Sequence, residues 1–255
     1  ITKDIMSEDA KFKSLVGVIG AGIQGVCISL CLIKKGFKVT LIDRDDPGKD
    51  SASTGNAGHF SPYASVPINR SDILVDVPSM LFSSTGPLAL KWNYVYKMIP
   101  WFLKFIKNCN KKNMMHTAKY MHQILNLALP AYDELFSDID ISGLVESKGI
   151  IYFWTKNDLK SRELEINIRN ELGVKQQLLT RHEIHDLEPH IKKVYHAGVL
   201  YPNARHARNP KKILLKLFDL FLKRGGHFKR QNAQSISFTS DNKPIIKTDL
   251  NHYTF

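Results

Sequence analysis

The sequence predicts an α/β protein with a parallel βαβ unit at its start and an α+β domain inserted behind it. Three observations carry this expectation. A short apolar run, a glycine-rich turn, a helix-like segment and a second apolar run ending on an acid follow one another within residues 15–43. Residues 86–154 then change character, from helical periodicity rich in aromatics to short strand-like runs. Finally, a capped amphipathic helix at 209–224 leads into another strand-like run, as a chain returning to its first sheet would.

Residues 15–20 read LVGVIG, a β-branched apolar run that suits a buried parallel strand. GAGIQG then sets Gly20, Gly22 and Gly25 in G-x-G-x-x-G spacing, with Ala21, Ile23 and Gln24 between them. The helix-like VCISLCLIKKG stops at Gly36, and Phe37–Ile42 leads to Asp43. Each part has a physical task. Gly20 permits the tight turn, Gly22 leaves room for a pyrophosphate, and Gly25 lets the helix lie close to the strand. The helix N-terminus offers free N–H groups and a positive dipole end. Asp43 can accept hydrogen bonds from ribose hydroxyls. This is a Rossmann-like dinucleotide-binding arrangement. Arg44 can favour a 2′-phosphate, but Asp43 would repel it, which disfavours NADP against FAD or NAD. Cys27 and Cys31 stand four apart with no second pair nearby, and are read as core packing rather than metal ligands.

The segment after the second strand favours FAD. A nicotinamide-binding half-fold would soon continue with another helix and a third parallel strand. Residues 47–62 instead read PGKDSASTGNAGHFSP. Ser51, Ser53, Thr54, Asn56 and Gly58 offer hydroxyls, an amide and close backbone approach, so this loop can wrap a second phosphate and reach a flavin ring.

The segments GVIGAGIQG, VTLIDRD and SASTGNAGHFSP resemble the D-amino-acid dehydrogenase (small subunit) branch of the FAD-dependent D-amino-acid oxidase superfamily. So do GPLALKWNYVYKMIPWFLKFIKNC at 86–109, KGIIYFW at 148–154, LLTRHEIHDLEPHI at 178–191, and AGVLYPN with the helix after it. The resemblance spans most of residues 16–240. It implies a Rossmann-like FAD-binding domain with an inserted, incomplete α+β substrate domain. The parts would be 15–85 and 197–255 for FAD, and 86–196 for substrate. It implies that Gly20, Ala21, Gly22, Ile23, Gln24 and Gly25 hold the pyrophosphate, that Asp43 binds the adenosine ribose, and that Arg44 flanks it. Ser53 and Thr54 would contact phosphate or ribityl groups. Asn56, Ala57 and Gly58 would approach the isoalloxazine, and Ala233 would present backbone atoms to adenine.

The same resemblance implies oxidative deamination of a D-amino acid by hydride transfer from its α-carbon to flavin, with imine hydrolysis to a 2-oxo acid and ammonia. Electrons would pass to a quinone or membrane acceptor, from a cytoplasmic protein peripheral to the inner face of the membrane. A glycine-, sarcosine- or hydroxyproline-type oxidoreductase, and an inactive remnant or subunit, are the alternatives. The tail IIKTDLNHYTF lacks the family's later Ala-x-Gly strand-turn and glycine-rich segment, so the chain is expected to be C-terminally truncated. The Arg and Tyr that usually bind the substrate carboxylate belong to that later part, and no catalytic residue is named.

Residues 86–136, punctuated by Pro100 and Pro130, read as a helical layer whose aromatics are core, with a quinone- or membrane-facing patch around Trp92, Tyr94, Trp101 and Phe102 as the alternative. Residues 144–154, 174–180 and 197–201 read as strands, and 157–172 as a helix ending at Gly173. Asn209 and Pro210 suit the start of the 209–224 helix. His59 reads as a solvated loop residue, with a role near the flavin or at substrate as the alternative that the resemblance implies. His182 and His185 lack further ligands for a metal. The net charge of +12 is spread over lysine doublets without a basic stripe, so a solvated surface is expected and nucleic acid is not.

Overall fold

The structure, a computed structural model, describes residues 14–49, 51–69, 91–155 and 162–255. The chain forms two compact units. The first holds residues through Gly58, Ala131–Glu146 and Ala207–Phe255, and the second holds His59–Pro130 and Ser147–His206.

In the first unit, β1 (Leu15–Ile19) pairs parallel with β2 (Lys38–Asp43), joined by helix α1 (Ile23–Lys34). Strand β9 (His227–Arg230) adds parallel to the other edge of β2. The order β1-β2-β9 makes β2 the central strand. Its apolar residues are therefore sealed: Val39, Leu41 and Ile42 have no exposed surface. Helix α1 buries Val26 and Leu30, and packs against α7 (Pro210–Lys223), which buries Ile213, Leu214, Leu217 and Phe221 at helical spacing. Helix α7 starts as its sequence suggests. Asn209 Oδ1 accepts from the Lys212 amide at 2.9 Å, and Pro210 occupies the first turn. An antiparallel meander of β10 (Ala233–Phe238), β11 (Pro244–Thr248) and β12 (His252–Thr254) completes the unit. It meets β1 at Gly17, where a Cβ would stand 2.6 Å from the Phe255 ring and 2.7 Å from Ile246 Cδ1. Cys27 is packed in this unit, and its burial, reinforced by Cys31, pushes the thiol up to about 12.

In the second unit, β7 (Ala197–Tyr201) runs between β5 (Ile150–Trp154) and β6 (Gln177–Thr180), antiparallel to both. Thr180 and Glu183 form a reciprocal capping box at the start of α6 (Arg181–Leu187). Tyr63 stacks on Tyr201 with ring centroids 3.8 Å apart, and its hydroxyl lies 3.1 Å from those of Ser61 and Tyr152. Burial is the main cause that raises the Tyr63 hydroxyl above its ordinary range. Helix α3 (Lys111–Leu125) packs Met114 and Ala118 on Ile168 of α5 (Glu163–Glu171). Strand β3 (His59–Phe60) pairs with β8 (Arg205–Ala207).

Several expectations change. The strand expected over 144–154 is two strands, β4 (Val145–Glu146) and β5, because Gly149 turns between them at φ +85°. A Cβ there would meet Leu200, the Tyr201 carbonyl and Pro202 at 3.0–3.2 Å. The strand expected over 174–180 forms only at Gln177–Thr180. The helix expected over 157–172 is seen as α5, its first residues lying outside the described ones. The run FKRQNAQSISF divides between β9 and β10, which lie in different sheets.

The aromatic segment changes most. Its start at 86–90 lies outside the described residues. Helix α2 (Val95–Asn108) follows a single 3₁₀ turn at Trp92–Tyr94 and buries no residue, so its aromatics are not core. The compact units change over at Gly58, Pro130, Glu146 and His206. Lys34 of α1 pairs with Glu134 of α4 (Ala128–Phe136), and Arg224, just past α7, holds Asp138 at 2.6 Å. Both pairs lie within the first unit.

Candidate functional site

Just past β1 stands Gly20, whose φ of +102° is a left-handed conformation that favours glycine. The chain turns there and α1 begins at Ile23, with Gly22 as its N-cap. Gly20 N donates to the Ile42 carbonyl at 2.8 Å, which locks the turn to the end of β2. Gly25 lies over that turn. A Cβ on it would come within 1.8 Å of the Gly20 carbonyl oxygen. This close approach brings α1 onto the strand pair and points its first amides over the turn.

Asp43 closes the other side. Its Oδ2 accepts from the Ala21 amide at 2.6 Å and its Oδ1 from the Asp45 amide at 3.0 Å. The carboxylate is thus held in one orientation while each oxygen keeps a further acceptor position. Ser53 reaches back from the following loop, and its Oγ accepts from the Ile23 amide at 3.0 Å. Among the described residues, none accepts from the amides of Gly22, Gln24 or Gly25. The Gly22 N-cap supplies no side-chain bond, and the first turn has no acid. Ser51 Oγ is buried without a partner among the described residues. Free helix-end amides, a glycine turn that side chains would fill, an anchored acid and a free hydroxyl together fit a dinucleotide's pyrophosphate and ribose.

The structure treats the sequence candidates unequally. It brings Gly20, Ala21, Gly22, Ile23, Gly25, Asp43 and Ser53 together through the contacts above. Gln24 is at the same helix start, with its side chain exposed. Arg44 is exposed and turns to Asp45, with Nε 3.3 Å from Oδ2. Thr54 spends its hydroxyl proton on the Ser51 carbonyl at 2.8 Å. Asn56 staples its own loop: Nδ2 donates to the Ala52 and Ser53 carbonyls, and Oδ1 accepts from the Gly58 amide at 2.7 Å. Ala57 is exposed. Gly58 has φ +67°, and its carbonyl accepts from Ala207 N at 2.7 Å. Ala233 opens β10 opposite Thr248. It follows Gln231, whose amide donates to the Asp43 carbonyl at 2.7 Å.

Gln231 is the residue the sequence reading misses. Its backbone docks on Asp43, and its side-chain oxygen accepts from Thr248 Oγ1 and the Tyr253 hydroxyl, both at 2.9 Å. Its local sequence gives no signal, because it lies inside the apparently continuous run 228–238. His59 is exposed and meets His206 edge-on, with ring centroids 5.6 Å apart. His182 pairs with Asp186 at 2.7 Å. Among the described residues no group of three or more His, Cys, Asp or Glu could hold a metal.

Gly58 yields a test of the loop. A Cβ there would stand 2.5 Å from the Ala207 carbonyl oxygen, on a backbone already left-handed. Gly58→Ala is expected to destabilise the chain by about 1–3 kcal/mol and to weaken cofactor retention. Chemical denaturation and dialysis of the loaded protein measure the two effects.

The sequence profile of the FAD dependent oxidoreductase family, DAO, matches residues 16–252. A D-amino-acid oxidase of Bradyrhizobium diazoefficiens is 28% identical over 236 residues, which cover 92% of this chain and 56% of that protein. Among solved structures, glycine oxidase from Geobacillus kaustophilus has a similar fold, with a TM-score of 0.60, 14% identity and coverage of 94% of this chain and 52% of its own. L-amino acid deaminase from Proteus vulgaris gives a TM-score of 0.58, 12% identity and coverage of 94% and 45%. The chain thus spans about half the length of the relatives it matches. A match over nearly the whole chain, on a fold that those flavoenzymes share, places it: the chain belongs to the DAO family of oxidoreductases, whose cofactor is FAD.

Proposed function

We propose that this chain is the FAD-holding part of an amino-acid-oxidising flavoenzyme of D-amino-acid dehydrogenase type. The observation that carries the reading is the cradle itself. Gly20 turns left-handed, Asp43 is anchored on Ala21 N at 2.6 Å, and the amides of Gly22, Gln24 and Gly25 stand free at the start of α1 among the described residues. In this reading those amides receive the pyrophosphate, and Asp43 accepts from the adenosine ribose. Ser53 braces the helix start while Ser51 offers its free hydroxyl to a phosphate oxygen. Asn56 shapes the loop so that Gly58 can bring backbone close to the flavin ring. Gln231 fixes the backbone from which Ala233 faces adenine. The cofactor, when bound, supplies the two-electron acceptor for the substrate's α-carbon. The protein's share is to bind and orient it.

The D-amino-acid oxidase relative supports an amino-acid substrate of D configuration, and a glycine-, sarcosine- or hydroxyproline-type oxidoreductase is the second reading. The acceptor proposed for the electrons is a membrane quinone. The test is anaerobic. The FAD-loaded protein, expressed from the full reading frame that encodes this chain, is mixed in turn with D-amino acids, their L-enantiomers, glycine and sarcosine, and bleaching of the flavin band is followed. Bleaching by D-amino acids alone is the expected result. Bleaching by glycine or sarcosine alone moves the assignment to the second reading. Bound flavin that no amino acid reduces overturns the reading for this chain.

A further inference from the structure

The second unit begins at His59 and ends at His206, and the fold brings these two residues together. They stand directly opposite each other in the antiparallel ladder of β3 and β8. One position outside the pair, Ala207 N donates to the Gly58 carbonyl at 2.7 Å. That bond makes His59 and His206 a non-hydrogen-bonded pair, the arrangement in which opposed side chains come closest. Both rings leave the same face of the ladder. Their centroids are 5.6 Å apart and their planes cross at 62°. His59 is exposed and His206 half-buried, and neither imidazole has a hydrogen-bond or ion-pair partner among the described residues.

Imidazole nitrogens are good ligands for zinc, nickel and copper. At a metal–nitrogen distance of about 2.0–2.1 Å, each ring centre stands roughly 3.2 Å from the ion, and two rings on one tetrahedral ion have centres roughly 5 Å apart. The observed separation lies within a small side-chain swing of that value. The arginines beside His206 in sequence leave the position free. Arg205 alternates to the opposite face of the strand, and the Arg208 guanidinium is answered by Glu146, with Nε 2.9 Å from Oε1. No third His, Cys, Asp or Glu joins the pair among the described residues, so water completes the shell of the ion. The topology gives such an ion a task. Strand β3 has two residues and β8 three, and so short a ladder is weak alone. The two histidines are about 150 residues apart along the chain, and a metal clip that closes a loop of that length removes freedom from the unfolded chain.

We infer that His59 and His206 form a two-imidazole site for a divalent ion of the zinc, nickel and copper group, and that the bound ion staples the entry of the second unit to its exit. The inference goes beyond the flavin reading and does not depend on it, because metal binding is read without turnover. The test uses the FAD-loaded protein from the full reading frame, without a histidine tag, titrated calorimetrically with Zn²⁺ at neutral pH. Saturable uptake at this site is expected, and Zn²⁺ at about one hundred times its dissociation constant is expected to raise Tm by roughly 5–10 °C. His59→Ala and His206→Ala are each expected to weaken that uptake at least about 10-fold. The double variant is expected to be no weaker than either single one, because one ion needs both rings at once. His252→Ala, which removes an exposed histidine of β12, is expected to change nothing. The exposed position of His59 lets its variant keep the fold, which circular dichroism checks without metal. No zinc-dependent rise in Tm, uptake that either substitution leaves intact, or additive losses in the double variant, the mark of two independent histidines, would overturn the inference.

Discussion

Gly25→Ala is expected to cost the first unit about 3 kcal/mol and to remove FAD binding with it. Helix propensity alone argues the other way, since alanine inside a helix is favoured over glycine by about 1 kcal/mol. The packing decides. A Cβ at 25 would lie 1.8 Å from the Gly20 carbonyl oxygen, a backbone atom that cannot swing aside. Helix α1 must then lift from the strand pair, which moves its free amides away from the turn and opens contacts made by the buried Val26 and Leu30. For a chain of this size such a loss lowers the melting temperature by roughly 6–12 °C. Circular dichroism on heating measures the loss, and retained flavin absorbance after gel filtration measures the cofactor. Gly22→Ala is the control. Its Cβ would meet only Ser53 Oγ, at 3.1 Å, and a hydroxyl can rotate. That variant is expected to keep its melting temperature and still lose FAD affinity, because the methyl group narrows the approach to the amides. Equal behaviour of the two variants would refute the division of roles between these glycines.

Asp43→Asn is expected to weaken FAD about 10- to 100-fold, the range set by losing charge-assisted hydrogen bonds. The carboxylate does two things at once in this site. It accepts from Ala21 N and Asp45 N, and it keeps lone pairs for ribose hydroxyls. An amide has only one accepting oxygen, so its NH₂ must face one of the two backbone N–H groups. The turn loosens even before the ligand arrives. Asp43→Glu retains the charge with a longer reach and is expected to recover most of the affinity. Titration followed by quenching of FAD fluorescence measures all three proteins. An Asn variant that binds as tightly as the parent would remove Asp43 from the proposed site.

Much of this was legible in the sequence because it depends on neighbours along the chain. The strand, turn and helix from Leu15 to Lys34 follow from a β-branched run, glycines at fixed spacing and an apolar helical face. Asn209 and Pro210 announce their helix start for the same local reason. Other features were not legible. The run at 228–238 looks continuous, yet β9 serves the parallel sheet and β10 the meander, a choice made by pairing with β2 and β11. Thr54 and Asn56 carry ligand-binding chemistry by type, but the loop's own carbonyls and amides claim that chemistry first. The aromatics of α2 look like core by composition, and only solvent exposure shows otherwise.

The sequence by itself determined the βαβ nucleotide turn, its terminal acid and the family. All rest on residue types at short, fixed spacings, where backbone freedom and helix-end charge act locally. The tertiary structure decided which of those residues face one another. It set Ser53 under the start of α1, Gln231 against Asp43, and Gly25 onto Gly20. Those contacts join segments up to about two hundred residues apart, and the physical reason is geometric. A hydrogen bond or a van der Waals clash is decided over tenths of an ångström, a scale that spacing along a chain does not encode.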